Sequence, residues 1–294
     1  MNERKNLSGI KVYMALLVGL SFMCFAAIFI KASHAPGIVT AFYRMAIASV
    51  VLVIPFMIRL KISGESLNKK GILLAVLAGL CFGIDLSLWS TGVVMSNATL
   101  PTLTANLAPV WVGFGSIIIF KEKHRVGFWI GLIIAFTGVC LLISNDLDQS
   151  NRVLAGVLLG VGAGIFYGIF YLFSQSGRKL VNTLSFLFFS TLSSAIYLLV
   201  MMLILQYDFI GYDRQTYLIF FGISLGVQVC GWMLINYSQG YLPASIVAPT
   251  LLGQPVLTAV LAALLLHEAL TLWHISGGLV VVAGIYIVHY SRRR

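Results

Sequence analysis

The chain has 294 residues, 60% of them hydrophobic and 10% charged, with a net charge of +10 and a mean hydropathy of +0.98. That balance lies far outside the soluble globular range, defines a polytopic membrane protein and leaves no soluble domain in which catalysis would reside. The basic residues sit at the ends of apolar runs rather than along one polar stripe, so the charge reports topology and excludes a nucleic-acid partner.

A hydrocarbon core about 30 Å thick needs roughly 20 apolar residues per helix. Segments of that kind run over residues 11–31, 37–60, 71–92, 97–120, 125–144, 153–174, 183–205, 216–239, 243–266 and 271–290, so the fold class is an all-α integral membrane protein of ten transmembrane helices. The first segment is long for a signal-peptide core and lacks a small-residue cleavage site, so it counts as a span. Cys24, Cys81, Cys140 and Cys230 lie inside apolar segments without metal-ligand spacing and read as small packing residues. No G-x-x-x-x-G-K-[ST] run is present, so neither a nucleotide nor another cofactor is expected.

With the N-terminus in the cytoplasm, fifteen Lys and Arg fall on the inner side and three, Lys31, Arg152 and Arg214, on the outer side. The positive-inside rule then places both termini in the cytoplasm of a multi-pass plasma membrane, the inner membrane of a bacterium. The stretch from Pro109 to Gly138 recurs from Pro255 to Gly284: Pro-Val opens both, followed in register by Glu122 or Glu268, then by Gly131 and Gly138 or Gly277 and Gly284. A register kept over a helix pair is an internal duplication. The halves are residues 1–148 and 149–294, and five helices in each force the second to enter the membrane inverted. Inverted halves place a solute site near the midplane, in a cavity between them.

The doubled signature, SNATLPTLTANLAPV…KE…G…G and YLPASIVAPTLLGQPV…HE…G…G, together with the Arg of TAFYRMAIASVVL in helix two, resembles the drug/metabolite transporter superfamily of the EamA type. The resemblance spans essentially the whole chain. It implies ten helices, movement of small solutes such as metabolites or amino acids, commonly outward, and a central cavity lined by helices one, three, four, six, eight and nine.

Ionisable side chains inside a bilayer are costly and mark function or a buried pair. Arg44 and Asp85 each lie about seven residues below the outer end of their helix, so at ~1.5 Å per residue both are roughly 10 Å deep. Either they pair to fix helix packing, or Asp85 takes up a proton or a substrate ammonium and Arg44 meets a carboxylate. Cys81, Asp85 and Trp89 on helix three, and Gln228, Trp232 and Asn236 on helix eight, recur at i, i+4 spacing and place polar and aromatic groups on one inward face. Helix four offers Asn106 before Pro109 and helix nine Gln254 before Pro255, each beside a carbonyl freed by the proline, Ala105 and Leu251. Pro243, Pro249 and Pro255 make helix nine the candidate moving element. Tyr167 and Tyr171 on helix six and Phe22 and Phe25 on helix one are further candidates, although aromatic residues in spans more often serve packing. Glu122 and Glu268 read as helix-end carboxylates that accept N–H bonds from the next helix.

The expected function is secondary transport by alternating access, with a small-molecule substrate, the lipid bilayer as medium and a proton or counter-solute as coupling partner. Two alternatives stand beside it. One is a channel-like facilitator. The other is an intramembrane serine protease built on Gly222-Ile-Ser224-Leu-Gly226 and His274, which lacks the strand-to-helix elbow of that motif and separates its serine and histidine by roughly 8 Å in depth.

Overall fold

A computed structural model of the chain describes residues 2–33, 35–63, 68–95, 104–143, 153–254, 256–257, 260–261 and 272–293. All regular structure among the described residues is helical: α1 (Asn2–Ala32), α2 (Gly37–Ser63), α3 (Lys69–Met95), α4 (Ala108–Phe120), α5 (Val126–Ile143), α6 (Val153–Gly177), α7 (Thr183–Ile204), α8 (Arg214–Gln239), α9 (Ala244–Gly253) and α10 (Leu272–Arg293). By length and composition α1, α2, α3, α6, α7 and α8 suffice to cross a membrane, while the described apolar stretches of α4, α5, α9 and α10 run to only 10–17 residues.

Three helices depart from the regular spans that the sequence suggests. In place of one helix kinked at Pro109, a turn at Asn106 and Leu107 precedes a helix that begins at Ala108, with Pro109 in its first turn. A first-turn proline loses no helical bond, because the leading N–H groups have no partner in any helix. In α9 the α-helix ends at Thr250 and tightens into a 3₁₀ turn over Leu251–Gly253, with Pro249 inside the helical part. In α8 a π-helical stretch, Ile223–Gly231, interrupts the α-helix, so Gln228 and Trp232 do not keep the expected i, i+4 register. A π turn inserts residues into a helix and is found mostly at functional sites.

The chain divides into two compact units, Met1–Gly83 with Phe173–Pro243, and Ile84–Leu172 with Ala244–Arg294, so each unit draws on both sequence halves.

In the first unit, small residues set the helix spacing. A Cβ on Gly79 would stand 2.0 Å from the Ser190 carbonyl oxygen, and Ser194 donates to the Gly79 carbonyl at 2.6 Å, which holds α3 against α7. Gly19 and Gly231 face each other where α1 crosses α8, and Ser238 donates to the Val12 carbonyl at 2.9 Å further along the same crossing. Interhelical contact in lipid has no hydrophobic drive, so close backbone approach and hydroxyl bonds supply it. At the end of α6, just beyond the apolar span, Arg178 donates from Nε to the Asn236 carbonyl at 2.8 Å, from Nη1 to the Val181 carbonyl and from Nη2 to Thr183 Oγ1 at 2.6 Å. Burial pulls its pKa down to about 10, with Tyr241 opposing and Arg59 reinforcing the shift, so it stays charged at neutral pH.

In the second unit the signature glycines pair with one another. A Cβ on Gly284 would lie 2.3 Å from the Ala135 nitrogen, on Gly138 2.5 Å from the Val281 nitrogen and 2.8 Å from the Gly277 carbonyl, and on Gly131 2.7 Å from the Val288 nitrogen. The repeated Gly…Gly register is thus the seam between α5 and its repeat equivalent α10. The Glu122 carboxylate accepts from Ser245 Oγ at 2.7 Å at the start of α9, with His124 Nε2 at 3.8 Å, a tie to a helix that the sequence reading did not expect. The α4 chain end turns through Lys121 in the left-handed region, φ 55°, just before Glu122. Glu268, Pro255 and the side chain of His274 lie outside the described residues.

Thermal unfolding of detergent-purified variants tests the glycine seam and the Arg178 clamp separately. Gly284→Ala forces a methyl against main chain and lowers stability by about 1–3 kcal/mol, whereas Gly226→Ala, with nothing within 4 Å of where its methyl would stand, carries no such clash and melts close to the parent. Arg178→Ala strips charged donors from three acceptors and costs roughly 2 kcal/mol or more, read by the same melt, with Arg178→Lys recovering only part because a point ammonium does not span all three.

Candidate functional site

Two glycines on α6 let that helix close on the start of α4. A Cβ on Gly164 would stand 3.0 Å from the carbonyl oxygens of both Thr104 and Ala105, and one on Gly168 would stand 2.8 Å from Trp111 Cβ. The turn itself is held by Leu107 N–H on the Thr104 carbonyl at 3.1 Å and Val110 N–H on the Leu107 carbonyl at 2.9 Å. Because α6 lies that close, Tyr167 and Tyr171, one turn apart, are delivered beside the turn. They line a small cavity in the second unit, together with Ala105, Asn106, Ala108 and Pro109 from the α4 side and Ala248, Leu251, Leu252 and Gln254 from α9.

The lining repeats about the two prolines. Ala105, Asn106 and Ala108 are the fourth, third and first residues before Pro109, and Leu251, Leu252 and Gln254 are the fourth, third and first before Pro255. The same register positions of both halves therefore face one space, while their chemistry differs. Asn106 occupies the position held by Leu252 in the other half, and Gln254 the position held by Ala108. The two amides share a cavity without being repeat equivalents, so the site is polar at unlike positions within a nearly two-fold frame. The 3₁₀ turn gives the Leu251 carbonyl a partner in Gln254 N–H, which fixes the backbone next to that amide.

Of the sequence candidates, Asn106, Tyr167 and Gln254 meet here, and Tyr171, an aromatic of the kind that more often serves packing, joins them. Tyr171 donates its hydroxyl to Tyr167 at 2.8 Å, and Asp85 is buried on α3 in the same unit. Trp89 lies on α3 in the same unit and is not part of the lining. Ala248, Leu251 and Leu252 carry no polar signal, and only their register relative to Pro255 would have pointed to them.

Arg44, Gln228, Trp232 and Asn236 belong to the first unit and form a second buried group there, each 6% exposed or less. Arg44 Nε donates to Gln228 Oε1 at 3.0 Å, Gln228 Nε2 reaches Thr191 Oγ1 at 3.4 Å, and the guanidinium lies 5.8 Å from the centre of the Phe82 ring. Phe82 meets Trp232 edge-on at 5.1 Å, and Asn236 Nδ2 returns to the Trp232 carbonyl at 2.9 Å. Gln228 makes this contact from within the π stretch of α8. Phe22 packs at Gly231 in the same unit. Ser224, the nucleophile of the protease alternative, spends its one hydroxyl proton on main-chain carbonyls, those of Phe220 and Tyr43.

Among the described residues the structure is helical, with apolar spans and polar groups buried inside them, as in a multi-pass membrane protein. The sequence matches the family described as the EamA-like transporter family twice, over residues 10–144 and 154–290, and the chain belongs to that family. A solved structure titled "Crystal structure of protein" superposes with a TM-score of 0.79 at 13% identity, covering 96% of this chain and 98% of that one, which is a likeness of fold. Comparison with curated proteins gives no match.

If the amides contact solute, Asn106→Ala and Gln254→Ala each weaken half-saturation about fivefold, the worth of roughly 1 kcal/mol for one lost hydrogen bond. Concentration-dependent thermal stabilisation by an L-amino-acid panel measures this, and unchanged half-saturation in both variants would remove the amides from the site.

Proposed function

We infer that the protein is a secondary carrier of small organic solutes, amino acids or similar amphiphilic metabolites, working outward across a bacterial inner membrane by alternating access. The observation that carries this reading is the cavity built from the same register positions before Pro109 and Pro255, lined by two amides and two phenols on an otherwise apolar wall. Such a mixture suits a solute with one apolar and one polar end.

The reading includes ten spans arranged as two inverted repeats, residues 1–148 and 149–294, with both termini cytoplasmic; the Lys and Arg distribution supports it. Arg44 and Asp85, each buried in its own unit, are candidate charges for solute or proton in this reading, and Gln228 orients the guanidinium. Unwinding at the start of α4 and in α9 supplies backbone that rearranges without breaking a whole helix.

Counterflow tests the reading. Proteoliposomes loaded with an unlabelled L-amino-acid mixture take up the ¹⁴C-labelled mixture transiently against its gradient if a carrier is present, and the flux saturates. Non-saturating flux without counterflow marks a channel-like facilitator and overturns the carrier.

A further inference from the structure

One polar hold on α9 comes from outside that helix. The α-helical part of α9 ends at Thr250, and of the residues that follow, Leu251, Leu252 and Gln254 line the cavity. Thr250 is buried, and its hydroxyl donates to the Ile246 carbonyl at 2.7 Å. A bond of that kind, to the carbonyl one turn back, bends a helix, and Pro249 weakens the same turn because it has no N–H to give. A hydroxyl has one proton and a carbonyl oxygen only accepts, so in the 2.9 Å contact between Thr250 Oγ1 and His289 Nε2 the ring nitrogen is the donor. His289, half-buried on α10, therefore carries hydrogen on Nε2, and a further proton enters at Nδ1 without breaking the contact. The head of α9 is fixed separately, by Ser245 on Glu122.

We propose that His289 is the positioning residue of the α9 cavity wall: through Thr250 it fixes where α-helix gives way to the 3₁₀ turn, and its charged form grips that turn more firmly than its neutral form. This rests on the carrier reading. In the series from His289 N–H to Thr250 O–H to the Ile246 carbonyl, each bond polarises the next, and a charged donor makes a bond roughly twice as strong as a neutral one. Protonation thus favours the bent α9 that brings Leu251, Leu252 and Gln254 to the cavity, and solute binds more tightly in acid. His289 is not part of the cavity lining and acts through Thr250. Thr250 lies six residues from Ala244 and His289 four from Arg293. In the topology of the carrier reading those helix ends are cytoplasmic, so the proton comes from water roughly 6–9 Å away on that side. α10 packs on α5 and α9, and Gly127 meets Ser291 at this level. The other titratable or charged residues here are Glu122, His124 and Arg125 on the α4–α5 turn and Tyr286, Tyr290, Arg292 and Arg293 on α10, with Cys140 further along α5; α4 and α9 carry none. All of them stay unchanged in the test.

The test is half-saturation by an L-amino-acid mixture, read as concentration-dependent thermal stabilisation of detergent-purified protein at about pH 5 and 8, the span over which an ordinary histidine changes charge. Wild type binds about fivefold more tightly at the acid end, the effect of doubling the strength of one hydrogen bond. His289→Gln keeps a side-chain N–H at the place of Nε2 but gains no charge, and it binds equally at both ends. Thr250→Val loses the acid gain as well, and Thr250→Ser, which retains both bonds, keeps it. A histidine with a merely structural role changes affinity alike at both ends. The same acid gain in wild type and His289→Gln, or a gain that survives Thr250→Val, overturns the proposal. So does wild-type binding that is indifferent to pH or tighter at the alkaline end. If Thr250→Val does not fold, His289→Gln decides alone. Absence of stabilisation at either end sinks the amino-acid reading, and ¹⁵N NMR of histidine-labelled protein then decides the positioning by itself. At the alkaline end the ring nitrogens that vanish in His289→Gln show the tautomer with hydrogen on Nε2, and they shift in Thr250→Val. The opposite tautomer, or no shift, overturns the proposal.

Discussion

A main-chain N–H or C=O left without a partner in hydrocarbon costs several kcal/mol, and the architecture follows from that constraint. It allows long uninterrupted helices and tolerates irregular backbone only where protein or a polar cavity surrounds it. The chain departs from regular helix at the turn before α4, the 3₁₀ turn of α9 and the π stretch of α8. The first two carry the amides of the cavity, and the third carries the glutamine that holds Arg44. Irregularity and polarity coincide because the same enclosed spaces make both tolerable.

Glycine makes those enclosed spaces narrow. At Gly79, Gly138, Gly164 and Gly284 an added methyl would meet main chain at 3.0 Å or less. With no hydrophobic force between helices in a bilayer, close approach is the main source of their cohesion. In the second unit the glycines do two separate jobs. The signature pairs lock α5 to α10 as a rigid seam, and Gly164 with Gly168 bring α6 against the α4 turn so that Tyr167 and Tyr171 reach the cavity. The repeated glutamate of the signature belongs to neither: Glu122 ties the α4–α5 turn to Ser245 at the head of α9.

Much of the site was legible in the sequence, for a definite reason. Asn106 and Gln254 were recognisable because a proline within a few residues marks where a membrane helix releases a carbonyl, and an amide there has little use in lipid. Arg44, Asp85, Gln228, Trp232 and Asn236 stood out as polar or aromatic groups in apolar spans, and those of the first unit are buried together. The partnerships were not legible. The i, i+4 spacing on helix eight assumed α-geometry, and Gln228 reaches Arg44 from within a π stretch. Tyr171 has the sequence context of a packing aromatic, and its place in the cavity lining and its hydroxyl bond to Tyr167 show otherwise.

The sequence by itself determined the solvent, the helical class, the duplication and the transporter family, since each depends on composition or on a register kept along the chain. Only the tertiary structure decided that the signature glycines of the two halves face one another, that the positions before Pro109 and Pro255 line a single cavity while their amides occupy unlike positions, and that Glu122 reaches α9. Those facts depend on how closely helices distant in sequence approach, and that distance is fixed by the small side chains at each crossing, which no one-dimensional spacing records.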